Sequence, residues 1–239
     1  MPHAFRTIAI AVAGLAFATL GPARAGEIHT DVPAQIKPDA MYLIYLHGGW
    51  PESRPLSEPH PKRGPFEYEK ILGGLAIGGF EVISELRREK TNPRRYVRTR
   101  VLPQIQALLD AGVPPTNITV AGFSKGGGMA LLVAAMAKQP QLNIVNMAGC
   151  GKGPVRKSYD SFLANDASRM RGRMLSMYDS KDLIAGTCSE AVAKAPNLTF
   201  EEVVLEDGGG HGTFYAPRKV WIDKIVAWAE SAPGRARTN

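Results

Sequence analysis

Apolar positions along the chain fall into short unbroken runs separated by stretches of helical period. Residues 41–46 are wholly apolar, with aromatic and branched side chains, and end at Gly48 and Gly49. This is the signature of a strand buried on both faces. Runs at 80–84, 117–121, 143–147, 173–177 and 200–205 also read as strands. Between them, Val97, Val101, Ile105 and Leu108 share one helical face, and Pro103 is expected to kink that helix or reset its start. Met129, Leu132, Val133 and Met136 form a second helical stripe, and Trp221, Ile225 and Trp228 a third. The alternation predicts an α/β fold, a mostly parallel central sheet of about six strands with helices on both faces. There is no internal repeat and no break in composition after Gly26, so residues 26–239 are expected to form a single domain.

The first 25 residues stand apart. Arg6 precedes an apolar stretch at 7–20, and Ala23 and Ala25 supply small residues at the −3 and −1 positions of a cleavage site. This predicts a signal peptide over 1–25 and a mature chain that is periplasmic or secreted. No later stretch is long and apolar enough to span a membrane. With 44% hydrophobic residues the chain has enough apolar side chains for a sizeable core, which excludes wholesale disorder. The two cysteines, Cys150 and Cys188, both fall just after predicted strands. In an oxidising compartment they are expected to pair.

Chemistry enters at Gly122-Phe123-Ser124-Lys125-Gly126. This pentapeptide follows one predicted strand and opens the next helix, the context in which a sharp turn lifts a serine hydroxyl out of the sheet. Side chains two residues before and after the serine would collide in such a turn, and Gly122 and Gly126 remove them. Ser124 is therefore the expected nucleophile. The helix that follows directs its positive end at the place where negative charge develops in acyl transfer.

A serine needs a base. Outside the leader the histidines are His29, His47, His60 and His211. His211 lies among Gly208, Gly209, Gly210 and Gly212, between the last strand and the last helix, and is the expected base. A carboxylate must hold its tautomer. Asp179 and Asp182 both follow the strand at 173–177. Asp182 is preferred because Leu183 and Ile184 can anchor its loop, and the other aspartate is expected to be a solvated turn or cap residue. The amide of Lys125 is one expected oxyanion donor. The second comes from the glycine loop after His47, with Gly49 preferred and Trp50 the alternative. His47 itself reads as a hydrogen-bonding structural residue.

The proline-rich stretch 50–68 offers Trp50, His60, Phe66 and Tyr68 as walls for a substrate pocket. The basic run from Arg87 to Arg100 reads as a solvated face, with an anionic envelope ligand as the alternative. It lacks the interleaved aromatics of a nucleic-acid platform. No metal-ligand spacing and no phosphate-cradling loop appears, so neither metal nor cofactor is expected.

Together, His47-Gly48-Gly49, Gly122-Phe123-Ser124-Lys125-Gly126-Gly127, Lys181-Asp182 and Gly210-His211 resemble the α/β-hydrolase superfamily, in the same chain order. The compact form is similar to the dienelactone-hydrolase and small carboxylesterase branch, with Ser124 where dienelactone hydrolases carry cysteine. The short spans at 26–41 and 147–173 leave no room for the usual N-terminal strand pair or a cap domain, so a minimal, uncapped version is expected. The resemblance implies Ser124, His211 and Asp182 as the catalytic set and hydrolysis of a small-molecule ester or thioester, or of an acylated envelope substrate. The alternatives are an amide-cleaving serine hydrolase and a catalytically idle binding protein of the same fold. Oligomeric state is not readable from these residues.

Overall fold

The computed structural model describes residues 25–234; the expected leader therefore lies almost wholly outside the described residues. Seven strands form one sheet: β1 (Ile28–His29), β2 (Met41–Leu46), β3 (Phe80–Ile83), β4 (Ile118–Phe123), β5 (Asn143–Met147), β6 (Gly172–Asp179) and β7 (Leu198–Leu205). Their order is β1-β3-β2-β4-β5-β6-β7, and every pairing is parallel. The helices are α1 (Tyr68–Ile77), α2 (Pro93–Tyr96), α3 (Leu102–Asp110), α4 (Lys125–Met136), α5 (Arg156–Asn165), α6 (Ser189–Val192) and α7 (Lys219–Glu230).

The alternation of side chains along β2 sorts two cores. Tyr42, Ile44 and Leu46 face one cluster, with Val97, Val101, Ile105 and the apolar side chains of α4. Met41, Leu43 and Tyr45 face the other, with Ile71, Leu75, Trp221 and Ile225 from α1 and α7. Both faces of the sheet are covered, which is why its central strands read as continuous apolar runs.

Two expectations are corrected. The sheet has seven strands, all parallel, where about six in a mostly parallel sheet were expected. The extra strand, β1, is only two residues long and escapes any periodicity. It is held by the buried Glu81 of β3, whose carboxylate accepts the Glu27 amide at 3.1 Å and lies 3.0 Å from His29 Nε2 and 2.8 Å from Lys37 Nζ. The basic run is not simply a solvated face either. Arg87 is 4% exposed, Arg94 pairs with Asp166, and Arg100 pairs with Asp31 and Glu85.

Pro103 does reshape its helix. Between α2 and α3 the chain takes one wide π turn, Val97–Val101. A proline at 103 has no N–H to give residue 99 and its ring crowds that carbonyl, and the wider turn accommodates both. Asn92 caps the start, its side chain accepting the Arg95 amide at 2.9 Å, worth about 1 kcal/mol. Between β5 and β6 the described chain adds only short turns and α5, with no inserted domain.

Candidate active site

A parallel sheet gathers the carboxyl ends of its strands at one rim. There β2 runs into His47, Gly48 and Gly49, β4 into Ser124, β6 into the Asp182 turn, and β7 into the His211 turn.

Ser124 alone separates β4 from α4, and it takes φ 55° and ψ −114°. That left-handed backbone is unfavourable for a residue with a side chain, by roughly 1–3 kcal/mol. The turn is held by the Ser124 amide donating to Met147 O at 2.8 Å and the Gly128 amide donating to Ser124 O at 3.0 Å. A Cβ on Gly122 would run into the Gly126 backbone, and one on Gly126 into the Leu46 carbonyl. The glycines are thus required by close approach, as the pentapeptide suggested.

His211 is 8% exposed, in a 3-10 segment (Gly210–Tyr215). Its Nε2 lies 2.8 Å from Ser124 Oγ and its Nδ1 lies 2.7 Å from Asp182 Oδ2. A carboxylate can only accept, so Nδ1 carries the proton and Nε2 is left to accept from the serine hydroxyl. Asp182 is 1% exposed, and its other oxygen accepts the amides of Ile184 at 2.9 Å and Ala185 at 3.1 Å. Burial pushes the Asp182 pKa up, but His211 and these two amides outweigh it and hold the carboxyl below its ordinary value of 3.8.

Asp179 makes no hydrogen bond to the His211 ring. It is fully buried, not the solvated residue expected, and it does cap a turn. Its oxygens accept the amides of Lys181 (2.9 Å), Gly208 (3.0 Å) and Gly210 (3.1 Å) and the hydroxyl of Thr213 (3.2 Å). One aspartate is bonded to the imidazole and the other to the loop that carries it.

The amides of Gly49 and Lys125 have no protein acceptor among the described residues. Behind the glycine loop lies a network that sequence patterning did not reveal. Arg87 Nε binds Glu52 Oε1 at 2.9 Å, its Nη2 reaches the carbonyls of His47 and Gly48, and Lys125 Nζ binds the other oxygen of Glu52. The Arg87 and Glu52 side chains are 1% and 4% exposed. His47 Nδ1 lies 2.7 Å from Gly48 O, and His47 Nε2 accepts the Arg87 amide at 2.9 Å. Burial, then the Arg87 charge, push the His47 pKa down to about 3, so the ring is neutral and structural. Arg87 was hidden in a basic run and Glu52 in a proline-rich loop. Nothing in their spacing marks them, because they meet through tertiary contacts.

Cys150 and Cys188 form a disulfide. Beside it, Lys152 donates to Ile184 O at 2.9 Å and Gly186 to Cys150 O at 3.0 Å. The loop after β5 is thereby sewn to the turn that carries Asp182.

A cavity of about 520 Å³ adjoins Ser124 and His211. None of the four expected wall residues lines it. Phe66 (3% exposed) and Tyr68 (7%) are packed in the core, Phe66 stacked on Phe123 and the Tyr68 hydroxyl donating to Ser84 Oγ at 2.8 Å. Trp50 and His60 pack on each other, with ring centroids 4.5 Å apart, beside Tyr215. Phe66 and Tyr68 are withdrawn from that role, because aromatics in a proline-rich loop can turn inward as easily as toward a ligand. The cavity is instead walled by α4, α5 and the start of α2, through Leu131, Leu132, Tyr159, Phe162 and Pro93.

The fold has solved counterparts. An esterase of Pyrococcus furiosus superposes with a TM-score of 0.52 at 12% identity, over 82% of this chain and 83% of its own. A lipase-esterase related protein of Clostridium acetobutylicum gives 0.50 at 13% identity, over 81% and 97%. Dipeptidyl peptidase 4 of Porphyromonas gingivalis gives 0.53 at 15% identity, over 82% of this chain but 32% of that longer one. The chain has the α/β-hydrolase fold. No family model and no curated protein sequence matches it. In this chain Ser124 stands at the sharp turn between β4 and α4. No helix among the described residues is long and apolar enough to cross a membrane.

Proposed function

We propose that the protein is an exported serine hydrolase that cleaves a carboxylic ester or thioester through an acyl-enzyme on Ser124. The observation that carries this reading is the chain of two short hydrogen bonds, Asp182 to His211 at 2.7 Å and His211 to Ser124 at 2.8 Å. They join side chains up to 87 positions apart.

His211 Nε2 takes the Ser124 proton as Oγ attacks the substrate carbonyl carbon. The carbonyl oxygen becomes an oxyanion, held by the amides of Lys125 and Gly49. The tetrahedral intermediate collapses, the bond to the leaving oxygen or sulfur breaks, and the imidazolium returns its proton to that atom. Water, deprotonated by His211, then attacks the acyl-enzyme. Collapse releases the carboxylic acid and restores the Ser124 hydroxyl. Asp182 stays ionised throughout and stabilises the imidazolium. The disulfide and the apolar leader at 7–20 support a periplasmic or secreted location.

The test is a set of chromogenic esters and a fluorophosphonate probe, applied to the wild type and Ser124→Ala. Hydrolysis and labelling are expected in the wild type and neither in the variant. Labelling that persists in Ser124→Ala would place the nucleophile elsewhere, and a wild type inert to both would leave a binding protein of this fold.

A further inference from the structure

The cavity beside Ser124 has a direction. Its wall follows one side of α4 from Lys125 through Gly128 to Leu131 and Leu132. Eight residues of helix separate Ser124 from Leu132, a rise of about 12 Å. The facing wall, α5, runs the same way. Val155 lies against Gly151, near the Ser124 end. At the other end, the Arg171 amide donates to Ala134 O at 3.0 Å, which places the segment after α5 beside the last turns of α4. Asp166 sits there, its side chain 1% exposed, gripped by Arg94 from across the cavity and by Arg169. The cavity is therefore a corridor with the serine at one end and an ion pair at the other.

Gly128 keeps the corridor open. A Cβ built on it meets nothing within 4 Å, although Leu131 and Leu132 lie on the same side of the helix. The opposite flank of Ser124 is polar and more exposed: Trp50 and His60 are half-buried, and Arg63 Nη1 donates to the Tyr215 hydroxyl at 3.4 Å beside Gly212. A leaving alcohol that takes a proton from His211 departs best through the wetter flank. The group that stays attached to Ser124 is better held in the apolar one.

We propose that this corridor binds an unbranched apolar acyl chain of medium length, passing Gly128 and ending against the Arg94–Asp166 pair. This rests on the acyl-enzyme reading of Ser124. Each methylene buried in it is expected to raise kcat/KM about fourfold, until the chain meets the ion pair.

The test uses nitrophenyl esters from acetyl to hexadecanoyl, beside acetyl esters of alcohols of increasing length. For the wild type, kcat/KM should climb along the acyl series to a maximum at medium length, then fall. Gly128→Leu should cut the octanoyl-to-acetyl ratio of kcat/KM at least tenfold. Gly128→Ala, which adds one methyl group and favours the helix, should cut it less, and it serves if the leucine variant does not fold. Arg94→Ala leaves Asp166 paired with Arg169 and should move the maximum to longer chains. Unchanged acyl profiles in folded variants that still hydrolyse esters would overturn the corridor and spare the nucleophile. So would a length dependence confined to the alcohol series. Loss of all hydrolysis and phosphonate labelling in the wild type would overturn both.

Discussion

Arg87 holds the carbonyl of Gly48 from behind, with Nη2 3.2 Å from the oxygen. The peptide that follows is trans, so the Gly49 N–H faces the opposite way. A guanidinium fixed by Glu52 therefore sets the direction of the amide to which we assign an oxyanion role. Arg87→Lys keeps the charge but loses the fork that grips two carbonyls and a carboxylate together. Its kcat should fall about 10²-fold, the size of a lost oxyanion donor, with KM nearly unchanged. Arg87→Met should also cost about 3–5 kcal/mol of stability, because it removes one partner of a buried pair. Steady-state kinetics and denaturant unfolding separate the two effects, and a rise in KM with kcat intact would remove Arg87 from oxyanion positioning.

The two aspartates should respond differently. Asp182→Asn offers His211 an amide where a carboxylate stood, and kcat should drop about 10⁴-fold with the fold intact. Asp179→Asn turns an N–H₂ toward amides that need an acceptor, at a cost of about 1–3 kcal/mol. Its signature should be a lower Tm, with a smaller change in kcat at a temperature where it is folded. Equal kinetic losses in both variants would mean that Asp179 also acts on the imidazole.

Acid should destabilise the protein in two stages. His47 has a folded pKa of about 3 against an ordinary 6.5. The unfolded chain thus binds this proton more readily, and the stability from the neutral ring is present above pH 6.5 and lost as pH falls toward 3. Asp182, depressed below 3.8, adds a loss at lower pH, as its carboxylate is protonated. Unfolding free energies measured across this range should fall steadily with pH. The slope between pH 6.5 and 4 should flatten in His47→Gln, and an unaltered slope would show that the ring is not what titrates.

Removing the disulfide should loosen the acid turn. The bridge spans 38 positions, which corresponds to about 4 kcal/mol in the chain-entropy model. Cys150→Ala with Cys188→Ala should lower the unfolding free energy by that order. It should also reduce kcat, because the backbone bonds between 150–152 and 184–186 lose their covalent support. A stability loss with kcat untouched would confine the bridge to folding.

Read along the chain, the six longer strands, the helix crossing Pro103 and the sharp turn at Ser124 were all legible, because each is written in local pattern. Apolar runs mark buried strands, and a serine between two glycines marks a turn too tight for side chains. Chain order also pointed to His211 and narrowed the acid to two neighbouring aspartates. Three matters were decided only by tertiary structure. Strand β1 depends on Glu81, 52 positions from His29. The Arg87–Glu52 support joins residues from two loops, and the cavity chose α4 and α5 as its walls while Phe66 and Tyr68 turned into the core. Such outcomes depend on which distant surfaces press together and leave no period in the sequence. Burial then gives them their energy, since a charge or an aromatic ring acquires its role only when its surroundings exclude water.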